Sequence, residues 1–198
     1  GFVTAELAEQ VMLLPGFHDS HMHPMRDGNR FLRCQMKGLA WPEEVLSALK
    51  ACEAKLRPGQ WLRGTDLAEE LFESGELHKS YLDDIAPDRP AFITNRSGFR
   101  GWANSAALAI ASIDSSTPDP VGGEIVREPN GDQPSGVLRL SAIGPVYQNI
   151  PEPDETDLRE ALRLASEMAN SFGITSANEA QTRPEYWQAF AAADKAGE

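Results

Sequence analysis

No stretch of this sequence is both long and apolar enough to cross a bilayer, which takes roughly 20 consecutive apolar residues; its apolar runs are short. No basic segment leads into an apolar core at the N-terminus, so no signal peptide is visible, although a chain opening on Gly1 leaves room for one lost from a precursor. Cysteine is scarce. Cys34 and Cys52 match neither C-x-x-C nor a zinc-ribbon spacing, so free thiols in a reducing cytoplasm are the default expectation and a single disulfide the alternative. Positive charge is also in short supply: 18 Lys and Arg stand against 30 Asp and Glu, a net charge of −12. Phosphate recognition relies on clustered Lys and Arg, so nucleic acid and anionic membranes are excluded as expected partners. What remains is the composition of an ordinary globular protein, with 41% hydrophobic residues in a length of 198 that suits one large domain or a small pair.

Histidine is the informative rarity. Three of the four occur in Leu13–Pro24, L-L-P-G-F-H-D-S-H-M-H-P, after the apolar run Met12–Leu14 and the breaker Pro15-Gly16. Side chains at i, i+2 and i+4 of a strand share a face, so Asp19, His21 and His23 line one side and His18, Ser20 and Met22 the other. Two imidazoles on one face suit a divalent cation, and a nearby carboxylate can orient a ligand or coordinate the ion. A lone H-x-H carries much less weight, since histidines in polar loops are more often solvated. The fourth histidine, His78, lies in a charged stretch before Ile85-Ala86-Pro87 and reads as a surface helix residue.

Taken in order, Gly1–Gln10 is short and mixed. Met25–Asn29 reads as a polar turn, and Arg30–Leu39 has helical spacing. Pro42 with Glu43 and Glu44 opens a helix that carries Val45, Leu46, Leu49, Cys52 and Leu56 to Pro58-Gly59. Leu67–Phe72 is a short helix or loop, and Asn104–Ile113 an Ala-rich helix. Residues 115–140 are dense in Pro, Gly, Asp and Asn, with strand-like Glu124–Arg127 and Gly136–Leu140 around an Asn-Gly turn, a hairpin inserted into the main fold. Leu140–Ile150 is helical. A long helix runs from Glu155 to about Phe172 and stops at Gly173, and a last helix runs from Pro184 to Ala196. Strand candidates at 12–17, 61–65, 91–95 and 174–178 alternate with helices, which predicts an α/β fold of parallel units with right-handed crossovers. Four units are about half of a closed eight-stranded barrel.

Pro15, Gly16, Asp19, His21 and His23, as P-G-x-x-D-x-H-x-H, resemble the first-strand motif of the amidohydrolase superfamily. Further pieces extend the resemblance over nearly the whole chain: Trp61-Leu62-Arg63-Gly64, Leu82–Pro90, Trp102–Leu108, Thr117–Ile125, Gly131 with Pro134–Leu138, and Gly173–Ser176. Together they are similar to the branch that includes N-substituted formamide deformylase. The resemblance implies the N-terminal part, 1–198, of a metal-dependent hydrolase barrel of the (β/α)8 TIM type, with 115–140 as a small β-hairpin insertion. It implies His21 and His23 as ligands of a divalent metal, zinc foremost, at the end of barrel strand one. Asp19 and Glu179 are the candidate supporting carboxylates; Glu179 falls just past a strand, and a helix-entry role suits it equally. Phe99, Trp102 and Asn104 are the candidate substrate contacts.

Two departures accompany it. The branch carries histidine in an Asp-Gly-His context where this chain has Ser97-Gly98-Phe99, so either the activity is altered or Phe99 fills packing space near the pocket. The family's remaining ligands and its acid–base Asp come from later strands, and no histidine follows His78. Two readings follow. One is a cytoplasmic hydrolase of C–N bonds other than peptide bonds (amide, formamide or cyclic amide) acting on a small molecule, complete only with a missing C-terminal half. The other is an inactive half-barrel that folds or oligomerises without turnover. The uncovered apolar strand edges of an isolated half-barrel predict a homo-oligomer, or a rearranged packing of the last elements.

Overall fold

The computed structural model describes residues 12–197, so the expectation for Gly1–Gln10 lies outside the described residues. In chain order the elements are β1 (Phe17–Met22), α1 (Pro24–Phe31), β2 (Cys34–Gln35), α2 (Pro42–Glu53), β3 (Leu62–Leu67), α3 (Glu69–Glu73), α4 (Lys79–Ile85), β4 (Ala91–Asn95), β5 (Arg100–Ala103), α5 (Ser105–Ile110), β6 (Gly123–Arg127), β7 (Pro134–Leu140), a 3-10 turn (Ser141–Ile143), α6 (Gly144–Asn149), α7 (Glu155–Ser171), β8 (Ile174–Glu179) and α8 (Pro184–Ala196). They form two compact units. One joins the N-terminal residues through Asn29 to the segment from Asp154 onward; the other is Arg30–Pro153.

In the first unit β1 pairs in parallel with β8, Phe17 opposite Ile174 and Met22 opposite Glu179. The strand begins at Phe17, five residues later than the expected 12–17. Residues 12–16 are exposed, and the ladder starts where the Phe17 N–H donates to the Gly173 carbonyl at 2.8 Å. Gly16 sits where any side chain would collide, since a Cβ there would lie 2.1 Å from Thr175 Oγ1. The stretch 25–29, expected to be a turn, is helical. Pro24 opens α1, the Asp27 N–H donates to the His23 carbonyl, and Met25 and Gly28, three apart, face inward. Helix α7 is capped by Asp154, whose side chain accepts the Asp157 N–H at 2.8 Å, and it buries Leu158, Ala161 and Ala165. Met168 and Phe172, toward its C-terminal end, are exposed.

The second unit holds a six-stranded mixed sheet in the order β2-β3-β4-β5-β7-β6. β2, β3 and β4 are parallel; the steps β4-β5, β5-β7 and β7-β6 are antiparallel. The strand expected at 91–95 is β4, which is buried at every position. Both faces of the sheet are covered: Ile93, Trp102 and Val137 join one core with Leu49, Leu62 and Leu82, while Phe92 and Leu138 join another with Ala107, Ile125 and Val146. Burial on both sides is why β4 reads as a continuous apolar run rather than an alternating one.

Three sequence expectations are corrected here. Arg30–Leu39 is not a helix: α1 stops at Phe31, and Cys34 and Met36 point inward while Gln35 and Lys37 face out, the period of a strand that pairs with β3. The hairpin at 115–140 exists, but β7 pairs with β5 and so makes it part of the main sheet instead of an excursion from it. The cysteines are not free thiols, because Cys34 on β2 and Cys52 on α2 are joined in a disulfide. His78 is the N-cap of α4, its Nδ1 accepting the Ser80 N–H, and its Nε2 lies 3.3 Å from Glu128. Lys79 donates to the same carboxylate at 2.5 Å, and this hydrogen bond, with that from His78, holds the Glu128 carboxyl below the usual carboxylate range.

Two outcomes test this packing. Ala ordinarily stabilises a helix interior over Gly by about 1 kcal/mol, yet a Cβ at Gly28 would lie 2.0 Å from the Ala161 carbonyl oxygen of α7. Gly28→Ala is therefore expected to lower stability, by about 2 kcal/mol on the scale of overpacked contacts; a urea midpoint that rises would refute the α1–α7 contact. Reducing Cys34–Cys52, which closes a separation of 18 residues, is expected to cost about 3 kcal/mol, read as a drop in urea midpoint between non-reduced and dithiothreitol-treated protein.

Candidate metal centre

The parallel pairing of β1 and β8 brings the carboxyl ends of both strands side by side, the position where parallel α/β sheets carry their chemistry. His21 lies within β1 and His23 directly after it, and their rings meet edge to face with centroids 5.3 Å apart. Glu179 ends β8. Its Oε1 accepts from His23 Nδ1 at 3.3 Å and from the Gln181 backbone N–H at 2.9 Å. That contact places the His23 proton on Nδ1 and leaves the Nε2 lone pair open, as a metal-ligating histidine requires. The other carboxylate oxygen, Oε2, is buried with no hydrogen-bond partner. Asp19 Oδ1 accepts the backbone N–H of His21 at 2.9 Å, so this carboxylate braces the main chain that carries His21.

His18, on the opposite face of β1, is occupied by Ser176 of β8, with Nδ1 2.8 Å from Oγ. Ser176 went unnoticed in the sequence; its partner is 158 residues away, and only the strand register reveals the contact. Two neighbouring imidazoles are donors of the kind that a divalent cation of the zinc type takes. No group of three or more His, Cys, Asp or Glu converges to hold a metal among the described residues.

The proposed substrate contacts behave differently. Trp102 is 1% exposed in the core of the second unit, opposite Ile93 and Val137. Asn104 is buried, its Oδ1 accepting the N–H groups of Ala91 and Ala107 while its Nδ2 donates to the carbonyls of Ala86 and Arg89. The Asn104 side chain is fully engaged inside the unit, where it ties the start of β4 to the turn from β5 into α5 and caps that helix, whereas the Trp102 Nε1–H is buried with no hydrogen-bond partner. Phe99 is 60% exposed and fills no packed space within its unit.

A model of the amidohydrolase family matches residues 8–198. The putative amidohydrolase YtcJ of Bacillus subtilis (strain 168) is 34% identical over 166 residues, 83% of this chain and 31% of that protein. The N-substituted formamide deformylase of Arthrobacter pascens is 32% identical over 193 residues, 93% of this chain and 35% of the relative. The crystal structure of an uncharacterized metal-dependent hydrolase from Pyrococcus furiosus superposes on 92% of this chain and 35% of its own, with a TM-score of 0.66 at 21% identity, a likeness of fold. The chain thus spans about a third of the length of these relatives.

The His23–Glu179 contact has a direct readout. Long-range proton–nitrogen correlation spectra near neutral pH are expected to show His23 as the Nδ1–H tautomer, and Glu179→Ala should return it toward the Nε2–H form that free imidazole prefers. An unchanged tautomer in the variant would refute the orienting role.

Proposed function

The chain belongs to the amidohydrolase family, and on that footing we propose that it forms the N-terminal part of a metal-dependent hydrolase that cleaves a C–N bond in a small-molecule amide, formamide or cyclic amide. The observation that carries the reading is the meeting of His21, His23 and Glu179 at the carboxyl ends of two parallel strands. His21 and His23 are the residues that would hold the cation, zinc foremost. Glu179 keeps the His23 proton on Nδ1, and Asp19 keeps the His21 main chain in place. A divalent cation held there supplies Lewis-acid chemistry toward a carbonyl oxygen and makes water a stronger nucleophile near neutral pH. The parallel pair β1-β8, each strand followed by a helix, supports a partial (β/α)8 barrel.

A second reading, a chain that folds or self-associates without turnover, draws on the donor count: catalytic zinc sites typically use three protein ligands, and two imidazoles are at hand. Among the described residues the β1-β8 sheet has two strands, and Phe17, Phe172 and Trp187 are exposed beside its edges or on its helices; self-association of this chain into a homo-oligomer belongs to both readings. Among the described residues no helix is long and apolar enough to cross a membrane. A cytoplasmic location is part of the proposal, and the Cys34–Cys52 bridge is then one that a reducing environment opens.

Metal content and hydrolysis of N-formyl amides, measured on this chain and on a version extended to the length of its relatives, separate the readings. The extended chain is expected to bind metal and turn over, with Glu179→Gln lowering metal affinity by about 10–100-fold and His21→Ala or His23→Ala lowering it further. Metal and turnover in the short chain would reject the inactive reading; neither property in the extended chain would reject the hydrolase.

A further inference from the structure

A cleft of about 670 Å³ in the second unit opens at the carboxyl ends of the parallel strands β2, β3 and β4. That volume suits a small organic ligand. Its apolar wall comes from Leu39, Ala40, Leu67 and Ala68, and its polar rim from Lys37, Asp66, Glu69, Asn95, Arg96 and Ser97.

The charges on that rim do not cancel. Asp66 is paired with Arg30, Oδ1 to Nη2 at 2.5 Å. Glu69 is doubly held, Oε1 by Arg100 Nε at 2.5 Å and Oε2 by Asn95 Nδ2 at 2.7 Å. Each carboxylate is therefore ion-paired with an arginine of the same unit, Arg100 being shared with Glu73 at 3.3 Å. Lys37 and Arg96 have no ion-pair partner among the described residues, so two positive charges face the cleft uncompensated, in a chain whose net charge is −12. Ser97 Oγ accepts from Asn95 Nδ2 at 2.9 Å, which leaves its own proton to donate.

The backbone is shaped toward the same place. β3 slips register against β4 between Gly64 and Leu67, and within that bulge Asp66 takes φ +64°, a left-handed conformation that non-glycine residues seldom adopt. Strain of this kind persists where surrounding contacts hold it, and it clusters at ligand clamps. Here the Arg30 pair holds Asp66 turned away from solvent, its side chain 10% exposed, so that it does not repel an anion.

We infer that this cleft binds a small organic anion, its oxyanion head group between Lys37 and Arg96 with Ser97 as a hydroxyl donor and its apolar body against Leu39 and Leu67. The site stands on the second unit alone and needs no metal, so it holds or fails independently of the hydrolase reading. Arginine and lysine supply charge-assisted hydrogen bonds to carboxylate and phosphate alike, and the choice between those head groups is left to the experiment.

The test is a titration of the chain in the presence of a metal chelator, followed by amide chemical shifts, with phenylacetate, phenyl phosphate and the neutral phenylacetamide. Saturable shifts confined to residues 37–40, 66–69 and 95–97 are expected with the anions. The Lys37→Gln/Arg96→Gln double variant should weaken binding by about tenfold or more, whereas Lys50→Gln/Lys55→Gln, which removes the same charge from helix α2 and the turn after it, should leave it unchanged. Tighter binding of phenyl phosphate assigns a phosphate head group and tighter binding of phenylacetate a carboxylate. Phenylacetamide binding as tightly as phenylacetate, equal losses in both double variants, or no saturable shift with either anion would each overturn the site.

Discussion

Two strands from opposite ends of the chain pair in parallel, and the candidate centre exists only because they do. His23 and Glu179 are 156 residues apart in sequence, and the β1-β8 register sets their side chains in contact. A slip of one residue would turn every side chain of β1 to the other face, setting Ser20 and Met22 where His21 and His23 now stand. Several local features defend that register. Gly16 leaves space for the Thr175 side chain, the Phe17 N–H is taken by Gly173, and His18 is tied to Ser176 on the far face. The Ala180 N–H donates to the Met22 carbonyl and closes the ladder just past Glu179.

The second unit solves a different problem. Its sheet buries apolar side chains on both faces, so Phe92 and Ile93, neighbours in sequence, belong to separate cores. Buried polar groups are costly unless they are hydrogen-bonded, and Asn104 has four backbone partners at the turn from β5 into α5. The Trp-Ala-Asn-Ser stretch that the family resemblance makes so recognisable is thus a folding element in this chain: a core tryptophan, a buried corner and a helix cap.

Much of this was open to reading along the chain. Helix α2 was legible from Pro42 and its acidic first turn, and α8 from Pro184, because proline at a helix start and periodic apolar residues act locally. β4 announced itself as a short apolar run, β8 as a short strand after the helix stop at Gly173, and the hairpin by its Asn-Gly turn. β2 and β5 did not, being only two and four residues long and owing their conformation to neighbours already in place. The helical reading of Arg30–Leu39 failed for that reason: Cys34 and Met36 point inward because β3 offers them a ladder, and no local propensity foretold it. The disulfide was likewise undecided, since only the packing of α2 beside β2 brings Cys34 and Cys52 within bonding distance.

By itself the sequence determined the kinds of groups available and their local spacing: two imidazoles two positions apart, a carboxylate at a strand end, a family signature spread over the chain, and the starts of its helices. These depend on covalent order and on interactions within a few residues. Tertiary structure alone decided which groups meet: that Glu179 orients His23 while His18 is tied to Ser176, that Trp102 and Asn104 turn inward, and that, among the described residues, Asp66 and Glu69 are ion-paired while Lys37 and Arg96 are not. The physical reason is that strand register and ion pairing join residues tens to more than a hundred positions apart, a separation over which chain order carries no geometric information.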